Sequence, residues 1–88
     1  MPVDHALAVS LLQDLVRIPS VNPDLVPGAP GEADVAAYIE DTLRRWGLTV
    51  DVVEPAAGRP NVVATLEGTG GGRTLLFNGH MDTVGVEG

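Results

Sequence analysis

The second half of the chain consists of three apolar runs joined by turns too short to hold a helix. The runs are Leu48 to Glu54, Asn61 to Glu67 and Thr74 to Asn78. Only Pro55-Ala56-Ala57-Gly58-Arg59-Pro60 and the glycine turn Gly68 to Gly72 separate them. A parallel crossover needs about a dozen residues or more, so neighbouring strands here are expected to run antiparallel. The uninterrupted Leu75-Leu76-Phe77 predicts a strand covered on both faces.

Two helices precede these strands. Residues about 4 to 17 carry Leu7, Leu11 and Leu15 at helical spacing, widened by Ala8, Leu12 and Val16. Asp4 can cap the start, Arg17 complements the C-terminal dipole, and Pro19 stops the helix. Pro19, Pro23, Pro27, Gly28, Pro30 and Gly31 mark a structured loop. A second helix is expected over about 32 to 46, burying Val35, Ala36, Ile39, Leu43 and Trp46. Glu40–Arg44 and Asp41–Arg45 pair on its wet side, and Gly47 ends it in a left-handed cap. The fold class is α/β, in the order ααβββ, with a mixed sheet packed by helices and no internal repeat. Residues 1–88 form one domain at most, and a chain this short buries only about 60–65% of its unfolded surface.

The chain has no cysteine, which excludes a disulfide framework and a thiolate metal site. A transition metal would therefore sit on imidazole, carboxylate and water. Net charge is −7, and every basic residue is an arginine. Dispersed acidity repels phosphate backbones, so no nucleic-acid partner is expected. Asp4 and Asp14 interrupt what would be a signal peptide, and no apolar run approaches the roughly 18 residues of a membrane span. The expectation is a cytoplasmic protein with no membrane partner.

The cluster Gly68-Thr69-Gly70-Gly71-Gly72 leads through Arg73-Thr74 into a strand, where a phosphate loop would lead into a helix N-terminus. It reads as a hairpin turn, against a rival nucleotide site. His5, beside Asp4, has no spaced partner and reads as part of a frayed helix start. His80 and Asp82 differ: on extended backbone, residues i and i+2 share a face. They follow the expected third strand at its C-terminal end, where open α/β sheets place ligands, and Asn78-Gly79 permits a sharp exit. A metal-bound imidazole commonly donates its other ring N–H to a carboxylate, a role Asp82 suits. A surface histidine with a satisfied neighbour is the alternative, and one imidazole does not complete a zinc site.

Leu76-Phe77-Asn78-Gly79-His80-Met81-Asp82-Thr83-Val84 resembles the first metal-ligand motif of a metallopeptidase family. Its members include acetylornithine deacetylase, succinyl-diaminopimelate desuccinylase, aminoacylase and carboxypeptidase G. Leu15 to Pro23 resembles that family's first helix and the loop leaving it, and Gly31 to Leu48 its second helix and entry to the first strand. The resemblance implies that residues 1–88 are the N-terminal part of a zinc-exopeptidase-like catalytic domain. It makes His80 a ligand of one of two zinc ions, with cobalt or manganese as substitutes, and Asp82 the catalytic acid that holds the His80 ring. The remaining ligands and a lid domain, commonly a homodimer contact, would lie downstream. The implied activity is metal-dependent hydrolysis of the amide of an N-acyl amino acid or small peptide. The rival is a truncated non-catalytic product or small binding module.

Overall fold

The computed structural model describes residues 4–85. Helix α1 spans His5–Arg17 and α2 spans Ala33–Arg45; strands β1 (Thr49–Ala56) and β2 (Arg59–Thr65) follow. None of the described helices is long and apolar enough to cross a membrane.

Local chemistry sets the helix ends. The Asp4 side chain accepts a hydrogen bond from the Leu7 N–H at 3.0 Å, satisfying one of the donors that a helix start leaves without a partner. At the end of α2, Gly47 adopts φ +89°. Its N–H bonds the Arg44 carbonyl at 3.0 Å, and the Leu48 N–H bonds that of Leu43 at 3.1 Å. This doubly bonded left-handed cap needs a residue without a Cβ penalty at position 47.

β1 and β2 form an antiparallel hairpin, with Val50 opposite Ala64 and Val52 opposite Val62. The strands extend closer to each other than the proline-bounded turn predicts, because Ala56 pairs with Arg59 across Ala57-Gly58 alone. The register shifts between Val53 and Ala56, which sets Glu54 and Pro55 against the single residue Pro60. This bulge places Pro55 where no ladder donor is needed.

The core lies between α2 and the hairpin. Val35, Ala36 and Val50 are its buried apolar residues. Arg44 ties the elements together, its Nη2 donating to the Val50 carbonyl at 2.9 Å. Trp46, expected in the core, is 52% exposed, since it caps α2 at the edge of this small contact. Helix α1 buries none of its residues; Leu7, Leu12 and Val16 are exposed, and Leu11 and Leu15 are half-buried. The stripe predicted for α1 exists, but little covers it.

The third strand does not form. Among the described residues the sheet has two strands, in the order ααββ, and is antiparallel and not mixed. Leu75, Leu76 and Phe77 are 76%, 82% and 87% exposed, the reverse of a strand covered on both faces. A strand is defined by its partner's hydrogen bonds, and no described segment supplies them to residues 74–78. Gly70 and Gly71 take positive φ as a turn requires, yet their bend closes no hairpin. Gly79 keeps an ordinary φ, and no turn forms at Asn78-Gly79. The one parallel pairing among the described residues is an isolated bridge between Val21 and Thr83.

Candidate active site

That bridge positions the site. The Thr83 N–H bonds the Ser20 carbonyl at 2.9 Å, and the Asn22 N–H bonds the Thr83 carbonyl at 3.0 Å. Buried Ser20 adds a side-chain hydroxyl contact to Thr83 at 3.3 Å. The segment after Gly79 is thus held by the loop after α1, about 60 positions earlier in the chain.

His80 and Asp82 meet there. The His80 Nδ1 lies 2.9 Å from Asp82 Oδ1 and 3.0 Å from the Asp82 carbonyl oxygen. An ionised carboxylate and a carbonyl are acceptors only, so the hydrogen resides on Nδ1. In the neutral ring Nε2 is then left with its lone pair outward, and the His80 side chain is 85% exposed. The second Asp82 oxygen, Oδ2, accepts from Asn22 Nδ2 at 2.7 Å. This donor holds the Asp82 carboxyl below its ordinary range; partial burial opposes the shift, and the His80 contact adds to it.

The His80-Met81-Asp82 segment borders two clefts. One, of ≈ 270 Å³, is lined on its far side by Glu32, Pro55, Arg59, Pro60 and Asn61. The other, of ≈ 300 Å³, is bounded mainly by Leu12, Leu15, Val16, Val35 and Ile39. In the first, Arg59 grips the buried carboxylate of Glu32 with Nε at 2.7 Å and Nη2 at 2.8 Å, and reaches Asp24 with Nη1 at 3.1 Å. The bonds to Glu32 first and Asp24 second raise the guanidinium pKa still further, so Arg59 keeps its charge throughout.

The structure therefore brings His80 and Asp82 together as the sequence predicts. It leaves His5 apart on the exposed start of α1. Sequence reasoning missed the Arg59–Glu32–Asp24 cluster, which is assembled from a loop, a helix start and a strand and has no linear signature. It also missed the contact made by Asn22, whose only local mark is its place before Pro23. Among the described residues no three His, Asp or Glu side chains gather as a metal shell. What is present fits one edge of such a shell: an imidazole with a free Nε2 and a carboxylate on its other nitrogen.

The chain is similar to succinyl-diaminopimelate desuccinylases. That of Cereibacter sphaeroides is 38% identical over 86 residues, covering 98% of this chain and 20% of the relative. That of Methylobacterium radiotolerans is 37% identical over 91 residues, covering 96% of this chain and 21% of the relative. The chain thus spans about a fifth of the length of the curated relatives it matches. No family model matches it. No solved structure matches it either.

Proposed function

We propose that this chain, which is similar over 98% of its length to succinyl-diaminopimelate desuccinylases, is the N-terminal part of a metal-dependent amide hydrolase of the metallopeptidase family that includes them. One observation carries this reading: Asp82 fixes the hydrogen on His80 Nδ1 and leaves Nε2 as a donor atom at the edge of the cleft that Glu32 and Arg59 also line. His80 is the residue that would hold a metal, through Nε2. Asp82 orients the ring and raises its basicity as a ligand. Bound zinc, with cobalt or manganese as substitutes, would supply an activated water and polarise the scissile carbonyl. The substrate class is an N-acyl amino acid or small peptide.

The test uses the full product of the coding sequence. Metal analysis and N-acyl amino acid hydrolysis are expected to be positive. His80→Ala should lose metal, whereas Asp82→Asn should retain much of it and lose most turnover. Equal metal loss in both would contradict the orienting role of Asp82. Absence of zinc and cobalt binding with His80 intact would sink the hydrolase reading.

A second reading is a non-catalytic binding module: among the described residues one imidazole stands at the cleft, and a zinc site takes about three protein ligands. The coding sequence beyond Gly88 separates the two. A stop codon directly after Gly88 favours the module; a continuing frame with further His, Asp and Glu ligands favours the hydrolase.

A further inference from the structure

We propose that Asn22 is a positioning residue for this site: it clamps Asp82 from behind and so fixes the hydrogen of His80 on Nδ1. The proposal rests on the hydrolase reading for its relevance to catalysis, but its geometry stands independently of any metal.

Asn22 is held at both ends of its amide. The Oδ1 accepts from the Asp24 N–H at 2.8 Å, and the Nδ2 donates to Asp82 Oδ2 at 2.7 Å. The Asp24 N–H can only donate and the Asp82 carboxylate can only accept, so these partners admit one orientation of the amide. The Asn22 N–H bonds the Thr83 carbonyl and the Thr83 N–H bonds the Ser20 carbonyl, which locks the two segments in register. The loop that carries Asn22 is anchored in turn by Arg59, through Asp24 and Glu32. Asp82 thus has one oxygen on Asn22 and the other on His80, and a rotation that broke the first contact would displace the second. The 2.7 Å contact is charge-assisted, the stronger class of hydrogen bond.

The isosteric variant Asn22→Asp isolates the clamp from the loop. It preserves an oxygen for the Asp24 N–H and replaces the donor with a second carboxylate facing Asp82. Nitrogen NMR of the His80 ring, at a pH where the ring is neutral, reads the tautomer directly and needs no metal. The unmodified protein is expected to show hydrogen predominantly on Nδ1. Asn22→Asp should lower the Nδ1–H to Nε2–H ratio roughly tenfold, the scale of one lost charge-assisted bond. Asn22→Ser, whose short hydroxyl can keep the turn but cannot reach Asp82, should lower it in the same direction. The exchange Asn22→Asp with Asp82→Asn re-forms a donor–acceptor pair and should return the ratio toward its original value.

An unchanged tautomer in a folded Asn22→Asp or Asn22→Ser protein would overturn the proposal. Loss of the fold in both would do so too, because Asn22 would then be a structural post of the loop. A correct tautomer shift in a full product that binds no zinc or cobalt would leave the clamp standing and remove the hydrolase reading.

Discussion

Tyr38 and Asp14 form the polar link between the helices, the phenol O–H donating to Asp14 Oδ2 at 2.8 Å. This bond raises the Tyr38 pKa above its ordinary value of 10.0, with desolvation and the Asp14 charge acting in the same sense. A raised folded pKa means that ionisation favours the unfolded chain. The stabilising contribution is therefore complete below about pH 10 and is lost as pH rises through the raised value. Tyr38 is the only tyrosine, so phenolate absorbance reports it alone. Asp14→Ala should move the titration midpoint down, back toward that of free tyrosine; an unmoved midpoint would show that the helices do not hold this contact in solution. Arg59 has a different role. Its fork satisfies the carboxylate of Glu32, whose side chain is only 8% exposed, so removing it strands a buried charge. Arg59→Met should lower the denaturation midpoint more than the double change Arg59→Met with Glu32→Gln does. Arg59→Lys should recover little, because an ammonium cannot supply two parallel bonds. Chemical denaturation of the three variants checks the order.

At the scale of elements, Gly47 is the position on which the junction of α2 and β1 turns. A Cβ there meets no atom within 4 Å, so the penalty of Gly47→Ala is conformational and not steric crowding by neighbours. It should cost about 1 kcal/mol, measured as a shift in denaturation midpoint at unchanged slope. The helices and the hairpin were legible in the sequence for the same reason that this prediction is simple: their signals are local. Asp4 caps the residue three positions on, Gly47 closes its own turn, and Val50 and Val52 alternate with Asp51 on one strand. The pairing of His80 with Asp82 was legible too, since two residues of extended chain suffice to bring them together. Burial and distant contacts were not. Trp46 has the right spacing for a core position, but spacing says nothing about whether a neighbour exists to cover it. Asn22 and Arg59 act across 60 and 27 positions of chain, where no periodicity reaches.

At the scale of the whole molecule, the radius of gyration is 15.0 Å, against about 12 Å for a compact chain of this length. The extended chain leaves large apolar side chains uncovered. Leu75, Leu76 and Phe77 present three consecutive large side chains to water, and α1 presents Leu12 and Val16. Residues 74–78 have strand composition with no strand partner, so their amide and carbonyl groups face solvent or whatever chain comes to pair with them. Amide hydrogen exchange separates these states. In the 88-residue chain, exchange at 75–77 should be fast while that of Val50, Val52 and Val62 in the hairpin is slower. The same 75–77 amides should become protected by orders of magnitude in a longer product whose added strands flank them. Leu76→Asp should then have opposite consequences. In the 88-residue chain it should reduce concentration-dependent association, seen by sedimentation, because it places a charge in an exposed apolar run. In the longer product it should destabilise the fold, because the same position would be interior. Protection of 75–77 in the short chain at low concentration would show that the strand is complete without further partners, and would remove the physical ground for placing these residues inside a larger sheet.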